Sequence, residues 1–362
     1  MTGPRLCYVL QSMNHARLLA LFTLLVACGS ARTSGFDDDA GASSGGASSG
    51  GASSGGFSGP DGGDGGAGAE TSTTTSVTVY ANTDDSLYSL DPATKKVTLV
   101  GKLTGMGGAT NDQNVTDCAV DATGQVWVNT PSVVYKAALP AGGTGSVVLT
   151  KVATIAAKAK QQFYALAFAP AGVLGPNETL VGGDGNGELW SIDTGSGATV
   201  DLGSFGPDKT RVFALSGNIV FYSGAGGKPT GLATIRSCLP GGQSCTTTND
   251  YLAGIDMAAL SAAFTSGTPA ASLLGGIYGG SGTSKGAGVG FGDLFGLGAW
   301  EGTVFAFSRS SGSKSASLLS IDTTSGAGTV IESSFGFSNG WSGAGVTTKV
   351  VVDVPAPPPP PR

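Results

Sequence analysis

Histidine is all but missing from this 362-residue chain: the one copy is His15, inside a segment that reads as a cleaved signal. Once that segment is gone, no imidazole is left for a Ser-His-Asp triad, a Cys-His pair or a histidine-bound metal. Catalysis by carboxylates survives this absence; most other hydrolytic schemes do not. Charge is scarce too, at 12% of residues. No basic patch is present to meet a phosphate backbone, so nucleic acid is not an expected partner. The net charge is −6; without Arg5 and Arg17 of the signal, 17 basic residues stand against 25 acidic ones, or −8. What takes the place of charge is glycine, 62 residues, beside an apolar content of 40%. That is enough to bury a core and too much for a charge-driven disordered chain. The length allows one large or two ordinary domains.

The apolar run at the N-terminus, Leu18 to Ala27, is ten residues long. That is too short to span a bilayer and about right for the apolar region of a signal peptide behind Arg17. Either Met1 or Met13 serves as the start; Met13 gives the more compact basic region. The run ends in Leu25-Val26-Ala27-Cys28-Gly29, which resembles the bacterial lipobox. The resemblance implies cleavage before Cys28, lipidation of its thiol and new amino group (palmitate among the acyl chains), and attachment to a membrane. Gly29 stands where lipoproteins retained in the inner membrane often carry Asp, which points to the outer membrane. An ordinary secretory signal with a chance cysteine is the plainer alternative.

From Cys28 to Ser76 the chain is Gly/Ser-rich, with Gly-Ala-Ser-Ser-Gly three times over between Gly41 and Gly55. Such a stretch buries nothing and reads as a tether; about 45 residues of flexible coil reach roughly 35–40 Å. Asp37-Asp38-Asp39 reads as solvated spacer rather than a calcium site.

From Val77 to Asp353 the pattern becomes β-rich alternation. A five-residue phrase recurs: Leu87-Tyr88-Ser89-Leu90-Asp91, Leu189-Trp190-Ser191-Ile192-Asp193, Leu252-Ala253-Gly254-Ile255-Asp256 and Leu318-Leu319-Ser320-Ile321-Asp322, with a degenerate copy from Val134 to Leu139. Apolar runs lie ahead of it (Val77–Tyr80, Gln125–Val128, Thr179–Val181, Ile219–Tyr222, Thr303–Phe307) and further upstream (Cys118–Val120, Phe163–Phe168, Arg211–Leu215, Leu294–Leu297). A last set follows it (Val97–Val100, Val147–Leu149, Thr199–Leu202, Thr329–Ile331). The Asp that ends most copies reads as a turn cap, its carboxylate accepting backbone N–H groups two residues on.

Four short strands repeated every 45–65 residues or so describe a β-propeller, and the phrase resembles the strand-and-turn of secreted quinoprotein and NHL-type propellers. The expected fold is all-β, a single propeller of five blades with six left open, and an all-β sandwich is the alternative. The first unit lacks its own innermost run, and Val346 to Val352 is the segment expected to complete it. In the fourth unit, Cys238 and Cys245 read as a local disulfide in an insertion between Ile235 and Leu252; Cys118 is left as a buried residue of an inner strand. Asp256 to Phe264 also fits a helix, and Gly275 to Gly292 reads as a surface loop. Residues 354–362 form a proline-rich tail, a spacer or a polyproline ligand.

Three function classes remain. The first is a lipid-anchored, monomeric envelope protein displaying a non-catalytic propeller that binds a protein or glycan on its loop face or in its central channel, without cofactor or metal. The second is a carboxylate enzyme, a lyase or glycosidase, with Asp117, Asp184, Asp293 and Glu301 as the carboxylates away from turns. Asp184 lies in Gly182-Gly183-Asp184-Gly185-Asn186-Gly187, which reads more simply as a hairpin loop than as a calcium loop. The third is a purely structural envelope protein. Phe291, Trp300, Phe335, Phe337 and Trp341 make the C-terminal part the more aromatic, which favours binding if they are exposed.

Overall fold

The computed structural model describes residues 78–350, apart from 108–111, 157–160, 241–243, 246–249, 279–291, 310–315, 324–325, 336 and 338–339. The lipobox with Cys28, the tether, the proline tail and Phe291 lie outside the described residues.

Strands follow the alternation and break at Gly, Asn and Asp turns. Among the described residues they build five antiparallel units of four strands each, with a two-residue strand, Pro207–Asp208, added beside the first strand of the fourth. From the inside outwards, blade 1 is Gly343–Gly345, Val79–Asn82, Ser86–Asp91 and Lys96–Thr104. Blade 2 is Asp117–Val120, Val126–Asn129, Val133–Ala138 and Val147–Thr154. Blade 3 is Phe163–Ala169, Thr179–Asp184, Glu188–Ile192 and Thr199–Ser204. Blade 4 is Arg211–Ser223, Pro229–Cys238, Tyr251–Ile255 and Leu274–Ile277. Blade 5 is Leu294–Trp300, Thr303–Ser308, Ser317–Ile321 and Gly328–Ser333. The outer strands of blades 1 and 2 touch through a short parallel pairing, Leu103 with Val147 and Thr104 with Val148. Each inner strand packs against the next in blade order, and that of blade 5 against that of blade 1. The sheets therefore stand radially around one axis, as a β-propeller.

Ring closure follows the expected principle with different residues. The chain's end supplies the inner strand of blade 1, but as Gly343-Ala344-Gly345 paired with Asn82, Ala81 and Tyr80, not as the valine-rich run from Val346. The reason is space: a Cβ on Gly343 would collide with the Asp117 carboxylate, and one on Gly345 with the backbone of Cys118. Residues 346–350 instead cross the far end of the axis. There Thr347 donates to the Asp121 carbonyl at 2.9 Å, Thr348 to the Glu178 carboxylate, and Ser223 N–H to the Val350 carbonyl at 3.0 Å.

Blade 4 also corrects the sequence reading. Arg211–Leu215 and Ile219–Tyr222 are one long inner strand with an irregularity between Leu215 and Ile219, not two neighbouring strands. The second strand is Pro229–Cys238, which the alternation did not reveal because Gly231 lies under the Phe221 ring where a side chain would otherwise pack. Gly275 and Gly276, expected in a surface loop, belong to the outer strand. Between the third and outer strands runs helix α1, Met257–Ser266; Asp256 caps it, accepting the N–H groups of Ala258 and Ala259 at 3.0 Å each. Asp91 and Asp193 cap turns as expected, accepting from Ala93 and Thr94 and from Gly195 and Ser196.

The recurring phrase marks the blade seams. Its first residue pairs with Asn82, Asn129, Gly183, Thr234 and Phe307 in blades 1 to 5. Each of these meets the neighbouring blade. Asn82 donates to the Val115 carbonyl at 3.5 Å, Asn129 to that of Phe163 at 3.0 Å, and Thr234 to that of Leu294 at 2.9 Å. At Gly183 the missing side chain makes room for Leu215. Phe307 meets the Trp341 ring edge-on, centroids 5.2 Å apart.

Candidate functional site

The residue two positions after each seam residue is Asp84, Pro131, Gly185, Arg236 or Arg309, and all five line one cavity of about 380 Å³. It opens at the end of the axis where the inner strands begin. Its wall is uneven. Blades 4 and 5 contribute the two arginines, blade 1 a carboxylate, and blades 2 and 3 a proline and a glycine. Asn114, Thr116 and Ser342 add polar groups; Val115, Tyr164, Leu215 and Phe295 add apolar ones.

The arginines are held loosely. Nη1 of Arg236 lies 3.5 Å from Asp293, and Nη2 of Arg309 lies 3.3 and 3.4 Å from the two oxygens of Asp84, which also accepts from Ser342 at 2.5 Å. Both pairs are longer than the 2.7–2.9 Å of a strong charge-assisted bond. Nε of Arg236 is buried without a hydrogen-bond partner. The Arg309 guanidinium sits over the Phe295 ring, 5.7 Å from its centre.

Behind this wall lies Asp250, fully buried. One oxygen accepts Leu294 N–H at 2.8 Å and the Ser216 hydroxyl, and the other has no partner. Burial pushes its carboxyl up to about 6, with the Asp293 charge adding to the rise; the Leu294 and Ser216 hydrogen bonds and the Arg236 charge pull the other way. A carboxyl whose pKa is raised in the folded state keeps its proton over a window, here from about pH 4 to 6, in which the unfolded chain has lost its own. Stability contributed by that proton is lost as pH rises through the window. Asp250→Asn removes the titration. Relative to the parent, the variant is therefore expected to gain stability between pH 4.5 and 7.5. The gain is at most ~3 kcal/mol, because each tenfold change in proton affinity is worth about 1.4 kcal/mol. Urea unfolding at both pH values reads this directly, and equal differences at the two would refute it.

The four carboxylates singled out in the sequence do not assemble. Asp184 lines the cavity, with one oxygen accepting the N–H groups of Asn186 and Glu188 at 2.9 and 3.1 Å and the other accepting from Gln161 at 3.0 Å. That is the work of a loop cap, as the hairpin reading expects. Asp293 is Arg236's partner. Glu301 lies in the hairpin at the opposite end of blade 5's inner strand. Asp117 is on the axis below the cavity, where it accepts Leu166 N–H at 2.5 Å, Cys118 N–H at 2.7 Å and the Asn218 amide at 3.2 Å. With Gly343 packed on it and residues 346–350 beyond, the described residues fill the axis beneath the funnel.

The aromatic residues expected on a binding face are mainly packing. Trp341 is fully buried, Phe335 and Phe337 lie against it, and Trp300 is half-buried at the same seam. Cys238 and Cys245 form a disulfide, and Arg211 fastens their loop by donating to the Ser237 and Ser244 carbonyls. Cys118 is buried in the inner strand of blade 2. Arg236, Arg309, Asp84 and Asp250 escaped the sequence reading. The available signal was the phrase itself, since counting two residues past its strand partner finds the first three.

No protein-family model and no curated protein matches this sequence. Among solved structures, the chain is similar to a protein of unknown function from Bacteroides caccae, at 10% identity and a TM-score of 0.37, over 75% of this chain and 99% of that one. It is also similar to the Dos1 propeller, at 11% and 0.32, over 73% and 69%. A third similarity is to virginiamycin B lyase from Staphylococcus aureus, at 11% and 0.31, over 69% and 63%.

Proposed function

We propose that this chain is a lipid-anchored envelope protein whose propeller acts as a non-catalytic scaffold, holding a ligand in the axial funnel. The observation that carries the binding half is the funnel wall. Five structurally equivalent positions bear four different residue types, Asp84, Pro131, Gly185 and the arginines Arg236 and Arg309, where a purely structural ring would gain nothing from differing. A concave site of about 380 Å³ with a few convergent polar groups on apolar walls suits a small ligand, such as part of a glycan. The anchoring half is carried by Leu25-Val26-Ala27-Cys28 ahead of the long Gly/Ser stretch. The outer membrane is its address.

Each half has its own test. Cys28→Ala is expected to move the protein from the membrane fraction to the soluble envelope fraction; a variant that stays with membranes at unchanged mass refutes the anchor. For the funnel, Gly185→Trp adds bulk at a position where a Cβ would meet only the Tyr164 ring, at 3.4 Å. Parent protein purified under native conditions is expected to release a bound small molecule on denaturation, seen by mass spectrometry, and the variant none. Equal release from both counts against the funnel.

A further inference from the structure

The arginines narrow the ligand class, an inference that rests on the funnel being the binding site. Going round the wall, the five equivalent positions carry charge in blades 4, 5 and 1, as Arg236, Arg309 and Asp84, whereas Pro131 and Gly185 leave blades 2 and 3 uncharged there; the remaining charge of the lining is Asp184 of blade 3, which caps its own loop. The two guanidiniums are the cations of the lining, and they come from adjacent blades. Each guanidinium has five N–H donors. Arg309 commits one nitrogen, Nη2, to Asp84, and Arg236 commits Nη1 to Asp293 with Nε left unpartnered. The uncommitted donors suit a planar, two-oxygen acceptor, which a carboxylate supplies with the geometry guanidinium favours. On blade 3, next to the blade that carries Arg236, stands Tyr164, 41% exposed, its hydroxyl turned to Gln162 at 2.5 Å and its ring available as a platform. In the same lining, Asn114, Thr116 and Ser342 offer groups that pair with hydroxyls.

We infer that the funnel binds a carboxylate-bearing sugar, a uronic-acid residue, with its carboxylate at Arg236 and Arg309 and its ring towards Tyr164. Asp293 and Asp84 hold the two guanidiniums in place.

The test is calorimetric titration of the full chain, solubilised in detergent, with galacturonate, galactose and inorganic phosphate at low salt. Galacturonate is expected to bind at one saturable site, galactose and phosphate at least about tenfold more weakly. Arg236→Gln and Arg309→Gln are each expected to weaken galacturonate by about tenfold or more, with melting temperatures near the parent's, and Gly185→Trp to abolish it. Galactose binding as well as galacturonate, phosphate binding as well as galacturonate, or undiminished binding in both arginine variants overturns the acidic-sugar assignment. If galactose or phosphate binds equally well and Gly185→Trp still abolishes the signal, the funnel stands as a site for another ligand. If galacturonate binds Gly185→Trp as it binds the parent, the site lies elsewhere and both readings fall. No response to any of the three overturns the acidic-sugar assignment and leaves the funnel to the released-ligand measurement above.

Discussion

Asp117→Ala is expected to cost the fold about 3–5 kcal/mol, the range for removing one partner from a buried charged network. The carboxylate is fully buried where three inner strands converge. It accepts the N–H of Leu166 from blade 3, that of Cys118 from its own blade, and the side-chain amide of Asn218 from blade 4. The same amide reaches the Ala344 carbonyl in blade 1 at 2.6 Å. Alanine leaves three donors without an acceptor, each costing about 1–3 kcal/mol when buried. Water has little room to replace the carboxylate, because the Gly343 backbone lies directly on it. Burial pushes the Asp117 carboxyl well above the usual range, opposed by its hydrogen bonds. Asp117→Asn keeps the shape but sets one acceptor oxygen and an N–H₂ group against those donors, so it too is expected to destabilise, by less than alanine. For a domain of this size the alanine variant corresponds to a melting temperature lower by on the order of 10 °C. An alanine variant within about 1 kcal/mol of the parent in urea would mean that the axis is held by packing alone.

How much of this was legible in the chain depends on how local the signal is. The phrase, its alternation and its terminal Asp are local, and they led to the third strand of each blade and to the turn caps at Asp91 and Asp193. The Cys238–Cys245 loop is local too. What failed depends on neighbours far away in sequence. Pro229–Cys238 is a strand because it pairs with Arg211–Ser223 on one side and with Tyr251–Ile255 on the other, although Pro229 and Gly231 are residues that disfavour strands. The closing strand is Gly343–Gly345 because only glycine fits against Asp117 and Cys118, a demand set more than 200 residues upstream. The five equivalent positions of the funnel wall come one from each blade, so no contiguous motif announces it. Arg236 and Arg309 were invisible as a pair until the seams set their register. Asp117 and Glu301, chosen for lying outside turns, showed that an isolated carboxylate in sequence says little about where it ends up: one locks the axis and the other sits in the hairpin at the opposite end of blade 5.

The ring closes in blade 1, whose inner strand comes from the far end of the described chain, and Trp341 fastens that strand at the seam with blade 5. The closing strand contributes three residue pairs, Gly343 with Asn82, Ala344 with Ala81 and Gly345 with Tyr80, so its backbone ladder is short for a strand that must hold a propeller closed. Two residues earlier, the buried Trp341 ring meets Tyr88 of blade 1 at 5.2 Å, Phe307 of blade 5 at 5.2 Å, and Phe335 and Phe337 at 5.1 and 4.8 Å between centroids. All four contacts are steeply tilted, the edge-to-face arrangement that adds about 0.5–1.5 kcal/mol per pair beyond burial. Trp341→Ala is expected to cost about 3–5 kcal/mol, but its signature is where the loss falls. Removing the ring frees the closing strand without touching the Asn129 clamp between blades 2 and 3 or the Leu215 contact between blades 3 and 4. Hydrogen exchange is therefore expected to rise first in residues 79–91 and 294–307, while blade 3 keeps its protection, because local opening follows the least-buttressed unit. Trp341→Phe retains part of the contact and should show the same pattern at smaller amplitude. Protection lost evenly around all five blades would show that the seam is no weaker than the others, and that the ring opens only by unfolding as a whole.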